Sequence, residues 1–92
     1  MKYVFGTIIR EDEEDGGFWA EVPDLPGCFG QGGSFIECVS SISDGVETHL
    51  AAMLADGRSI PQGGKVVADD GEVVYVCADP STVNQGAPLG YE

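Results

Sequence analysis

At 92 residues, 42% of them hydrophobic, the chain has apolar material for one core and none for a second, because a protein this short buries only about 60% of its unfolded surface. Sixteen acids against four bases give a formal net charge of -12, which excludes a phosphate-binding surface and disfavours an anionic membrane, since both need clustered Lys and Arg. A basic protein partner suits that charge, and plain solubility is the competing explanation.

In chain order, Tyr3 to Arg10 is aromatic and β-branched, and a second such run, Phe18 to Val22, follows the acidic loop ending in Asp15-Gly16-Gly17. This reads as a β-hairpin. Strand alternation puts Phe18, Ala20 and Val22 on one face of the sheet and Trp19 and Glu21 on the other, so Trp19 is either edge packing or an anchor for a partner. Pro23-Asp24-Leu25-Pro26-Gly27 cannot continue a central strand, because two prolines remove donors and fix φ. A tight turn is expected there, with Asp24 bonding amides of its own turn. Cys28 to Gln31 is a short third strand ended by Gly32-Gly33, which completes an antiparallel meander.

Ser34 followed by Glu37 is a capping box. The apolar residues Phe35, Val39, Ile42, Val46, Leu50, Met53 and Leu54 then recur at helical spacing up to Asp56-Gly57 and predict a helix laid on the sheet. Gly45 within it costs about 1 kcal/mol of helix propensity relative to alanine, a cost that tertiary packing is expected to override. After a loop holding Pro61, the near-continuous apolar run Glu72 to Ala78 reads as a strand covered on both faces, central or parallel. Lys65 to Ala68 is a weaker candidate for an extra strand. The predicted class is α+β, in the order β-β-β-α-β, with a domain over residues 1–79 and a Gly- and Pro-rich flexible tail over 80–92 that has no DNA-binding segment.

Chemistry is sparse. Cys28, Cys38 and Cys77 lack the paired spacing of a metal site and read as reduced core thiols. His49 has no nucleophile at a defensible spacing and reads as structural. The acids Glu11 to Asp15 lack the alternation and central glycine of a calcium loop, and no glycine pair has a phosphate-loop context. No catalytic residue, metal site or cofactor is expected. No signal peptide or membrane span is read from the sequence, and a cytoplasmic location is expected.

The run DEEDGGFWAEVPDLPGCFGQG, Asp12 to Gly32, with an amphipathic helix ending in LADGRSIP, Leu54 to Pro61, resembles the HicB antitoxin family across the first two-thirds of the chain. The resemblance implies a degraded ribonuclease H-like fold that acts as an inhibitor. Its partner would be a basic HicA-type toxin, a small protein with a double-stranded-RNA-binding-like fold and a catalytic histidine, whose messenger-RNA cleavage it blocks. Trp19, Glu21, Asp24, Leu25 and Pro26 are the candidate partner-binding residues, and homo-oligomerisation is open. A residual metal-dependent ribonuclease on the same scaffold and an orphan binding domain are the alternative functions.

Overall fold

The computed structural model describes residues 2–79, so the tail expected over 80–92 lies outside the described residues. The elements are β1 (Tyr3–Glu11), β2 (Phe18–Glu21), β3 (Phe29–Gly32), α1 (Phe35–Ala55) and β4 (Glu72–Ala78). They build one four-stranded sheet in the order β3-β2-β1-β4, antiparallel at every pairing, with α1 on one face. Among the described residues no helix is long and apolar enough to cross a membrane.

The hairpin closes as the alternation predicts. Ile9 pairs with Ala20 and Arg10 with Trp19, so Phe5, Ile9, Ala20 and Val22 meet on the face that α1 covers and are buried. The acidic loop is organised by Asp12, whose Oδ1 accepts the amides of Glu14 and Asp15, both at 3.1 Å. Two consecutive tight turns follow β2. Leu25 N–H donates to the Val22 carbonyl and Cys28 N–H to the Leu25 carbonyl, while Gly27 takes φ +89°, which a side chain would resist.

The helix begins where the capping box placed it. Ser34 Oγ accepts from Glu37 N–H, and the Glu37 carboxylate accepts from Ser34 N–H, each at 3.1 Å. It ends in a Schellman motif: Arg58 N–H reaches the Met53 carbonyl, Gly57 N–H reaches that of Leu54, and Gly57 has φ +73°. Ile42, Val46, Leu50 and Met53 are buried as the stripe predicts, and Phe35 and Val39 pack against the core. Leu54 is instead exposed while Met53 is buried, because four-residue steps drift by about 40° each along an α-helix and by the last turn carry Leu54 off the sheet-facing side. Cys38 and Ala51 are buried in addition to the predicted stripe. The helix sits directly on β3. A Cβ at Gly30 would lie 2.9 Å from the Ile42 backbone, and one at Gly32 would lie 2.5 Å from Cys38 N, so glycine at these alternate positions sets the approach.

Three expectations are corrected beyond α1. β4 is an edge strand, not a central one, and runs antiparallel to β1. Lys65 to Ala68 forms no strand. Cys77 is exposed, not a core thiol. One connection explains the first two. Residues 58–70 run along β1 on the face away from α1: Gly63 lies against the Val4 carbonyl, Val66 over Gly6, and Gly71 against the Ile9 carbonyl. The chain therefore reaches the far end of β1 before it reverses into β4, which fixes the antiparallel sense, and Lys65 to Ala68 is used as a strap across the sheet. As an edge strand β4 is also not covered on both faces as expected: Val76 and Ala78 are buried toward α1, but Tyr75 and Cys77 on the strap's side are exposed.

Candidate functional site

The face opposite α1 carries Phe29 and Gln31 from β3, Trp19 and Glu21 from β2, Ile8 and Arg10 from β1, and Val73 and Tyr75 from β4, as the register requires. The strap covers it on the β1 side and leaves β2 and β3 open. Phe29 is 63% exposed there. Its chain neighbours both turn toward α1, Cys28 into the core and Gly30 against the Ile42 backbone, so the strand has no choice but to present Phe29 and Gln31 outward.

Arg10 organises this face. Its guanidinium stacks over the Trp19 ring at 5.0 Å from the centroid. It donates from Nη1 to Glu21 Oε2 at 2.6 Å and from Nε to Asp70 Oδ1 at 3.0 Å. Glu21 first, then Asp70, raises its pKa, against a smaller opposing effect of burial. The raised value holds the charge on through any physiological pH. Both pairs are partly exposed, so each contributes no more than about 1 kcal/mol to stability. Their consequence is positional: one cation locks the Trp19 ring, the Glu21 carboxylate and the end of the strap in a fixed arrangement.

Beside Arg10 a cleft of about 790 Å³ opens at the hairpin end of the sheet, walled by Trp19 and Phe35 and rimmed by acids that include Glu13, Asp70 and Glu72. A smaller groove of about 480 Å³ separates the start of β3 from the middle of α1, with His49 on its wall. Among the described residues no three His, Cys, Asp or Glu side chains converge where a metal ion could be held. Burial pushes the thiols of Cys28 and Cys38 above their ordinary pKa, which keeps them protonated and poorly nucleophilic near neutral pH.

The five residues singled out from the sequence are divided by the structure. Trp19 and Glu21 share the open face, and Pro26 is exposed at the turn beside it. Asp24 is half-buried, and its Oδ2 accepts the Gly64 amide at 3.2 Å, so it ties the turn to the strap and not to itself. Leu25 is 1% exposed and belongs to the core. Its side chain pins the turn from beneath and offers no surface. Sequence reasoning does not reach Arg10, Phe29 or Asp70. The alternating glycines Gly30 and Gly32 are the available signal for Phe29, whereas the Arg10–Asp70 pair spans 60 residues and leaves no local trace.

Comparison with known proteins agrees with this architecture. A family model described as "HicB_like antitoxin of bacterial toxin-antitoxin system" matches residues 5–75. A UPF0150 protein of Synechocystis sp. is 33% identical over 61 residues, 66% of this chain and 77% of the relative. A UPF0150 protein of Thermoplasma acidophilum is 34% identical over 62 residues, 67% of this chain and 86% of the relative. Among solved structures, a toxin-antitoxin complex from Streptococcus pneumoniae contains a chain that superposes with a TM-score of 0.78 at 16% identity, covering 100% of this chain and 80% of that one. A chain of a HicA3 and HicB3 toxin-antitoxin complex superposes at 0.67 with 24% identity, covering 84% and 99%. The N-terminal domain of the Burkholderia pseudomallei antitoxin HicB does so at 0.65 with 16% identity, covering 83% and 95%. At these identities the superpositions establish the shared fold.

Proposed function

The chain belongs to the HicB_like antitoxin family of bacterial toxin-antitoxin systems, and from that premise we propose that it neutralises a small basic HicA-type toxin by docking the open half of its sheet over the toxin's RNA-cleaving site. The observation that carries this reading is the placing of an exposed Phe29 and a half-buried Trp19 on one face of the sheet, with an acid-rimmed cleft at Trp19, on a chain of net charge -12. Aromatic anchors supply buried area at low entropic cost, and a field of one sign speeds encounter with a partner of the other. Arg10 pairs with both Glu21 and Asp70 but offsets only one of their two charges, so this group stays net negative and joins the other cleft acids in what a toxin's cations would meet.

In this reading Trp19, Glu21 and Pro26 contact the toxin, while Asp24 and Leu25 hold the turn that presents them. The role is inhibitory and non-enzymatic, on a scaffold of ribonuclease H-like ancestry, and the chain acts in the cytoplasm beside its toxin. The test is a binding and RNA-cleavage assay with a small basic HicA-type toxin, repeated across salt concentrations. Tight binding that abolishes cleavage and weakens as salt rises is the expected result. Trp19→Ala is expected to weaken it by a hot-spot increment of about 2 kcal/mol, with the isolated chain still folded. Absence of binding at low salt, or a complex that still cleaves RNA, would overturn the proposal.

A further inference from the structure

Given the docking proposed above, on which this inference rests, we propose that a hollow on the β3 side of Trp19 is a subsite for one arginine side chain of the toxin. The guanidinium would stack on the Trp19 ring from the β3 side, as Arg10 does from the β1 side, and pair with the carboxylate of Asp15. Strand register sets three side chains in a row across the open face: Arg10 on β1 pairs with Trp19 on β2, and Trp19 with Gln31 on β3. Arg10 approaches the ring from its own strand, at 5.0 Å from the centroid. On the other side of Trp19 lies a second hollow of about 400 Å³, whose lining includes Trp19, Gln31, Asp12, Asp15, Gly16 and Gly33 and does not include Arg10. That is the small end of the range for ligand pockets, suited to one side chain.

Arg10 shows what this ring accepts. Its guanidinium stacks on Trp19 and gives separate N–H groups to Glu21 and Asp70. The hollow repeats those components with the same ring, the Asp15 carboxylate and the Gln31 side-chain carbonyl as a second acceptor. Asp12 commits Oδ1 to the amides of Glu14 and Asp15. Among the described residues no hydrogen bond or ion pair engages the Asp15 carboxylate or the Gln31 side chain. A planar, weakly hydrated guanidinium meets ring and carboxylate together, whereas an ammonium is a compact, strongly hydrated point charge that cannot stack. An apolar side chain would cover the ring but take Asp15 out of water without a partner.

Trp19 is the chain's single tryptophan, so its indole N–H gives one NMR signal that reports this site directly. The experiment titrates the full chain with the N-acetylated amides of arginine, lysine and citrulline, which differ only in the side chain, and follows the Trp19 indole and Gln31 side-chain amide signals. The arginine titration is repeated on Asp15→Ala and Glu13→Ala. Glu13 belongs to the same loop but lines the cleft on the Arg10 side and not this hollow, so each variant removes one acid and only one of them touches the hollow. Saturable shifts are expected from the arginine probe, about threefold tighter than from the lysine probe, and none from the uncharged citrulline side chain. Asp15→Ala is expected to weaken the arginine probe about three- to fivefold, with Glu13→Ala unchanged. No saturable shift, equal affinity for arginine and lysine, or equal losses in the two variants would overturn the subsite. The docking fails or stands separately: a toxin that still binds while the arginine probe shows no preference removes the subsite alone, and selective arginine binding without a toxin complex does the reverse.

Discussion

The two faces of the β1 strand are both sealed, but by different physics. On one side Phe5 and Ile9 meet a 21-residue helix whose Ile42, Val46 and Leu50 are fully buried. On the other, Gly6 and Ile8 lie on the side crossed by the strap of residues 58–70, whose ties include the Asp24 carboxylate on Gly64 N–H, the Tyr75 hydroxyl on Val66 N–H, and Arg10 on Asp70. Removal of apolar area from water holds the first face, while single polar contacts and a fitted glycine gap hold the second. Segments held by few exposed contacts open at low free-energy cost, and the face that such a strap only half covers is where a partner can dock without disturbing the core.

The contrast is broken most severely from the helix side. Leu50→Ala removes a fully buried side chain between helix and sheet and is expected to cost about 2–5 kcal/mol, the range for cavities that relax incompletely. Urea unfolding would measure it. A loss below about 1 kcal/mol would mean the helix face is as loosely held as the strap and that the asymmetry is not real.

A smaller effect is expected from the opposite side. At Gly6 a Cβ would run into Val66 Cγ2 and stand 2.6 Å from its Cβ, so Gly6→Ala must push the strap outward. Overpacking costs about 1–3 kcal/mol, part of which is returned by removing glycine from a strand, leaving a net loss of about 1–2 kcal/mol. Amide exchange separates this from a core effect: Gly64 and Val66 should lose protection while the amides of α1 keep theirs. Equal acceleration in both segments would show that the strap and the core open as one unit.

What was legible in the sequence follows the same division. The hairpin, the third strand, the capping box and the helical stripe were readable because each rests on residues a few positions apart, such as Ser34 with Glu37 or Ile42 with Val46. The direction of β4 was not. It depends on residues 58–70 crossing the sheet, and that crossing depends on Gly6 leaving room for Val66, a relation between two positions far apart in the chain with no periodicity to announce it. The candidate surface was half legible for the same reason. Trp19 and Glu21 follow from alternation within one strand, but Arg10, which fixes both, needs Asp70 from the end of the strap. Leu25 misled because it sits in a polar, proline-flanked turn, where local chemistry points outward and only the Val22–Cys28 closure turns the side chain in.

The smallest effect expected concerns Gly45, where helix propensity and close approach give opposite signs. Gly30 and Gly32 are glycines because the helix backbone occupies the space a side chain would need. Gly45 lies on the helix that makes that approach, yet the nearest atom to a Cβ built there is the Phe29 carbonyl oxygen at 3.5 Å, an ordinary van der Waals contact. A methyl group therefore fits, and Gly45→Ala should stabilise the chain by about 0.5–1 kcal/mol, by restricting the unfolded backbone and restoring helix propensity. The urea midpoint should rise with an unchanged slope. A fall instead would mean that β3 and α1 meet more tightly at Gly45 than that separation implies. Gly45 would then join Gly30 and Gly32 as a spacer, and the groove beside His49 would owe its width to it.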